Sequence, residues 1–114
     1  YFFQLSGEDA TQLAFLANGG DGIISVTSNI VPDYISNLQD YWFKQKYEKA
    51  ISINKSLTQL NKALFLESNP IPVKYAAHKL GLCGDELRLP LTEASETTKK
   101  YVDQALENLV PQFA

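Results

Sequence analysis

The chain has 114 residues, 45% hydrophobic and 20% charged, enough for one globular unit with a core and short for two full domains. Its formal charge of −3 and pI near 5.0 argue against nucleic acid as a partner, since such binding needs clustered positive charge. No apolar run approaches ~18 residues, so no membrane-spanning helix is expected.

Taken in order, Phe2 to Leu5 reads as a strand and Ser6-Gly7-Glu8-Asp9 as the polar loop leaving it. Asp9 and Gln12 have capping-box spacing, and Leu13, Leu16 and Ala17 give a helix from Ala10 to Asn18 one apolar face. Gly19-Gly20 stops that helix and Asp21-Gly22 is a turn dipeptide. Ile23 to Thr27 is then a nearly continuous apolar and β-branched run, which predicts a parallel strand covered on both faces. Ser28-Asn29 marks its C-terminal end, where barrels and open α/β sheets build their sites. Strand, helix and strand in this order predict a parallel βαβ unit with a right-handed crossover. Two strands alone leave sheet edges and apolar faces uncovered, so more sheet is expected elsewhere.

The rest of the chain reads as helical. Pro32 suits a first helical turn, and Tyr34, Ile35, Leu38, Tyr41 and Trp42 recur on one face. After a break at Gln45 to Tyr47, Ala50, Ile53, Leu57, Leu60 and Leu64 form a packing seam, and the two seams predict an antiparallel helix pair. Pro70 and Pro72 forbid continuation beyond Asn69. Val73, Ala76, Ala77 and Leu80 make a short amphipathic helix stopped by Gly81, and Leu87 to Leu91, interrupted by Pro90, reads as an extended strap. Ser95 caps a last helix whose Val102, Ala105, Leu106 and Leu109 face inward.

The chemistry-bearing residues are few. His78 is the only histidine and Cys83 the only cysteine, so neither a histidine metal cluster nor an internal disulfide can form. His78 in a last helical turn reads as structural, and Cys83 receives no role. Lys74 reads as a solvated or carboxylate-paired lysine rather than a Schiff-base amine. Glu8 and Asp9 read as a cap and a first-turn charge. Gly19 to Gly22 precedes a strand, the wrong order for a phosphate loop. The opening Tyr1-Phe2-Phe3 lacks the basic segment of a signal peptide, and the composition suits a reducing cytoplasm. With no methionine in the chain, the natural N-terminus is expected upstream.

Three motifs carry a resemblance. Gly19-Gly20-Asp21-Gly22-Ile23-Ile24-Ser25-Val26-Thr27, Asn69-Pro70-Ile71-Pro72-Val73-Lys74 and Arg88-Leu89-Pro90-Leu91 resemble, in this order and spacing, the C-terminal part of the dihydrodipicolinate synthase family. Phe3 to Asp9 is similar to that family's segment through its seventh barrel strand. The resemblance covers essentially the whole chain, and the Asn-Pro-Ile-Pro-Val-Lys stretch favours this family over the related N-acetylneuraminate lyases.

The resemblance implies an α/β fold: residues 1–45 are the last two βα units of a (β/α)8 TIM barrel and residues 46–114 a C-terminal helical domain, the piece itself being mostly α-helical. It implies a lyase of lysine and diaminopimelate biosynthesis that condenses pyruvate, held as a lysine imine, with L-aspartate semialdehyde, without cofactor or metal. The complete enzymes are commonly homotetramers. The family's Schiff-base lysine and tyrosine proton shuttle match no position here. Ile24 matches an eighth-strand residue whose main-chain carbonyl borders the pyruvate site. Gly7 and Glu8 match the seventh-strand loop near the second substrate, with Glu8 where a family relative has Asp. Asn69 matches an asparagine that faces that substrate from the helical domain. The rival reading is a non-catalytic helical fragment that associates through its uncovered apolar surface.

Overall fold

The computed structural model describes residues 1–109, and two compact units divide the chain between Thr58 and Gln59. In the first, strand β1 (Leu5–Ser6) is followed by a 3-10 turn at Asp9–Thr11, helix α1 (Gln12–Ala17), strand β2 (Gly22–Ile23), a second 3-10 turn at Thr27–Asn29 and helix α2 (Pro32–Phe43). Helix α3 (Tyr47–Ala63) runs across the division; α4 (Ile71–Lys79) and α5 (Glu96–Glu107) lie in the second unit.

The βαβ order is as expected: β1 pairs parallel with β2, Leu5 opposite Gly22 and Ser6 opposite Ile23. Hydrogen bonds from Asp21 N–H to the Gln4 carbonyl (2.8 Å) and from Ile24 N–H to the Ser6 carbonyl (2.9 Å) carry the pairing one residue further each way. Gly19 ends α1 with φ +90°, a conformation costly for any residue with a Cβ.

Both strands are shorter than expected. Phe2 and Phe3 make no ladder, and β2 stops before Ser25 because Val26 turns into the right-handed helical region ahead of the 3-10 turn. The run Ile23 to Thr27 is not covered on both faces either: Ile23 is half-buried and Ile24 is 71% exposed, as are most of the Phe2, Phe3 and Leu5 side chains. A continuous apolar run reports the burial a strand has in its complete sheet, and two paired strands cover neither face. The helix expected from Ala10 begins as a 3-10 turn, and α1 proper starts at Gln12.

The helical periodicities hold. Tyr34, Ile35 and Leu38 of α2 are buried, and so are Ala50, Ile53 and Leu57 of α3 in the first unit and Leu60 and Leu64 in the second. Gln45, at φ +58°, breaks the chain between α2 and α3. Helix α2 packs against the turn at Thr27–Asn29, and in the second unit α4 packs on α5. Helix α4 begins at Ile71, earlier than the apolar spacing suggested, because Pro72 in the first turn lacks only an N–H that has no intrahelical acceptor there. Gly81 follows it with φ +74°.

Ser95 caps α5 as expected, its Oγ accepting from the Thr98 N–H at 3.2 Å. It also donates, through its own N–H (3.0 Å) and hydroxyl (3.2 Å), to Oε2 of Glu67. The Thr98 hydroxyl, the Ser95 N–H and the Ser95 hydroxyl together hold the Glu67 carboxyl below its ordinary range. A carboxylate so depressed in the folded state adds stability above its unfolded pKa of about 4.3, and loses it as pH falls through the lower folded value. Glu67→Gln is therefore expected to flatten the acid side of a plot of melting temperature against pH. Parallel acid slopes for the two proteins would count against the interaction.

Candidate functional site

The C-terminal ends of β1 and β2 lie side by side, with Ser6 in register with Ile23. That pairing brings three of the expected site residues, Gly7, Glu8 and Ile24, to one end of the strand pair. The Ser6 hydroxyl shapes the first loop, accepting from the Glu8 N–H at 3.1 Å and donating to the Glu8 carbonyl at 3.2 Å, which folds Gly7 into a tight exposed bend. No atom lies within 4 Å of where a Cβ on Gly7 would sit, so space is not what requires glycine there. The Glu8 carboxylate is exposed and accepts from the Thr11 hydroxyl at 3.0 Å.

Asp9 departs from its expected role. It belongs to no capping box: the 3-10 turn it opens has no side-chain cap, and the Asp9 side chain is 1% exposed. Its carboxylate instead reaches across to the other strand exit, accepting from the Ser25 hydroxyl, the Val26 N–H (2.9 Å) and the Thr27 N–H (3.2 Å). The Ser25 hydroxyl in turn accepts from the Ser28 N–H at 2.8 Å, and the Ser28 hydroxyl donates to the Ser25 carbonyl at 2.9 Å. One buried carboxylate thus anchors the three residues directly after Ile24. A buried charge is stable only with such a set of donors, and consecutive N–H groups at a strand exit need an acceptor from a neighbouring loop. That need is the sequence signal for Asp9: polar Ser25 and Thr27 follow a strand, and an acid stands at the equivalent point after the preceding strand.

Gln12, also 1% exposed, accepts at Oε1 from Gln39 Nε2 at 3.2 Å, leaving Gln12 Nε2 and Gln39 Oε1 without partners. Asn69 lies in the second unit, exposed, before a cis bond to Pro70. Asn69 does not cap α4, since Pro70 takes the cap position and no side-chain hydrogen bond closes it. Lys74 is half-buried beside Arg88 and Glu86 in an open groove floored by Pro70, Leu87 and Leu91. His78 is exposed, 3.1 Å by its Nδ1 from the Cys83 carbonyl oxygen, and the Cys83 thiol is free and exposed. Lys79 is pushed up by its hydrogen bond to Asp103, and Lys99 by Glu96 and then Glu93, the opposite of what an amine nucleophile needs. Among the described residues no group of His, Cys, Asp or Glu is placed to hold a metal, and no helix is long and apolar enough to cross a membrane.

Residues 1–109 match the model of the dihydrodipicolinate synthetase family. The 4-hydroxy-tetrahydrodipicolinate synthase of Rickettsia canadensis is 52% identical over 108 residues, 95% of this chain and 37% of that protein. The crystal structure of dihydrodipicolinate synthase from Thermotoga maritima matches with a TM-score of 0.93 and 42% identity, over 95% of this chain and 37% of its own. The chloride-inhibited dihydrodipicolinate synthase of Acinetobacter baumannii, solved with pyruvate, matches with a TM-score of 0.89 and 37% identity, over 95% of this chain and 37% of its own. The chain therefore spans a little over a third of the length of these relatives.

Proposed function

The chain belongs to the dihydrodipicolinate synthetase family and has that family's fold at the C-terminal end of the (β/α)8 barrel, and on this premise we propose that it is the C-terminal part of a 4-hydroxy-tetrahydrodipicolinate synthase. Residues 1–45 are its last two βα units and residues 46–114 its helical domain. The complete enzyme condenses pyruvate with L-aspartate semialdehyde in the cytoplasm, on the route to lysine and diaminopimelate, and works as a homotetramer. What supports the reading is the match along residues 1–109, joined to the placement of Gly7, Glu8 and Ile24 at one end of the parallel strands, where barrel enzymes bind substrate.

In this reading the chain supplies walls and binding groups rather than the nucleophile. The Ile24 carbonyl accepts a hydrogen bond from the pyruvate-derived imine or its amine precursor, and a backbone oxygen orients that donor without adding a competing base. The bend at Gly7 and Glu8 borders the second substrate, and Asn69 gives it one amide. The test is on the full-length protein: consumption of pyruvate with L-aspartate semialdehyde, and a pyruvate adduct on one lysine after borohydride reduction. Cleavage of N-acetylneuraminate in place of that condensation would assign the chain to the related lyases.

Asn69→Ala in the full-length enzyme is expected to lower kcat/KM for the semialdehyde several-fold to about tenfold, as loss of one uncharged hydrogen bond costs about 0.5–1.5 kcal/mol. The yield of the pyruvate adduct is expected to stay the same. Because Asn69 does not cap α4, thermal stability is expected to change little. Unchanged kcat/KM for both substrates would remove the residue from the site.

A further inference from the structure

We infer that Asp9 is a positioning residue for the pyruvate-binding carbonyl of Ile24, an inference that rests on the reading of Ile24 above. The acid touches no proposed substrate group. It is buried to 1% exposure beneath the strand exits, and its carboxylate takes up donors from Ser25, Val26 and Thr27, the three residues that follow Ile24.

The direction of a peptide carbonyl is set by the backbone on either side of it. On the N-terminal side, the Ile24 N–H is bonded to the Ser6 carbonyl at 2.9 Å, the last link of the parallel ladder. On the C-terminal side, where the ladder has ended and Val26 turns helical, sheet hydrogen bonding no longer holds the chain. Asp9 takes over there. Its Oδ2 is shared between two consecutive N–H groups, at 2.9 and 3.2 Å, and its Oδ1 takes the Ser25 hydroxyl, which is itself held by the Ser28 N–H. The Ile24 side chain is 71% exposed and packs on little in this chain, so these polar links, not side-chain packing, fix the peptide that follows it. Asp9 also stands one residue after Glu8, so a single buried group ties the loop of one strand to the exit of the next.

A carbonyl freed to rotate would hold the imine less well, while groups that contact only the second substrate would be unaffected. In the full-length enzyme, Asp9→Ala is expected to raise KM for pyruvate at least about tenfold, leave KM for the semialdehyde within about twofold, and still give the lysine adduct at saturating pyruvate. Asp9→Asn keeps one carbonyl oxygen as acceptor and is expected to rescue most of the pyruvate KM. Ser25→Ala, which removes one of the three donors to Asp9 together with the acceptor of the Ser28 N–H, is expected to raise it modestly; these two milder variants decide the matter if Asp9→Ala does not fold. An Asp9 variant with lowered melting temperature but unaltered pyruvate KM, or with both KM values raised alike, makes Asp9 a general structural acid and overturns the inference while leaving the enzyme reading intact. Absence of any pyruvate adduct on the unsubstituted protein overturns the enzyme reading itself, and this inference with it.

Discussion

Incubated with pyruvate and reduced with borohydride, the 114-residue chain alone is expected to keep its unmodified mass, while the full-length protein gains one pyruvate-derived adduct. Imine formation needs an amine that is neutral near pH 7, and a lysine reaches that state only when burial or a neighbouring cation lowers its pKa by several units. Each of the nine lysines of the chain lies on a helix or in the break between α2 and α3, and none follows β1 or β2. Lys79 and Lys99 have their charged forms stabilised by Asp103 and by Glu96 and Glu93. Lys74 sits on α4, not at a strand exit, and lines an open groove together with Glu86 and Arg88. A trapped adduct on Lys74, or on any other lysine here, would overturn the assignment of the nucleophile to another part of the enzyme.

Replacing Leu60 by Ala is expected to destabilise the folded chain by about 2–5 kcal/mol, the range for a buried leucine whose cavity closes only in part. Leu60 is fully buried near the C-terminal end of α3, and Leu57 before it and Leu64 just after the helix are also at 0% exposure. Leu89→Ala makes the same chemical change at a side chain 87% exposed on the strap and is expected to stay within about 0.5 kcal/mol. Denaturant melts of the two variants would check the contrast. Equal losses would mean that the seam is not the core.

The same contrast separates what could be read along the chain from what could not. Helix α3 was legible because its signal is local. Ala50, Ile53, Leu57, Leu60 and Leu64 recur with the helical period, and a helix satisfies its own backbone, so the pattern is enough whatever lies around it. The stop at Gly19 and the cap at Ser95 were legible for the same reason, each depending on one residue's own backbone or side chain; the block expected at Pro70 and Pro72 was not where α3 ends, which is Ala63. Strand lengths were not, because a strand's hydrogen bonds belong to its neighbour: Ile23 to Thr27 carries the composition of a buried strand, yet only the stretch that meets β1 pairs here.

Sequence by itself determined the parallel βαβ order, the positions of the helices and, through three motifs, the family. Tertiary structure alone decided the role of Asp9. Three residues before Gln12, an acid fits a cap, and nothing in that spacing says that the residues after Ile24 will arrive beside it as donors. Only the pairing of β1 with β2 brings the two strand exits together, across the 16 to 18 positions that separate Asp9 from Ser25, Val26 and Thr27. A buried carboxylate then goes to the donors that most need an acceptor, and the local cap is left unmade.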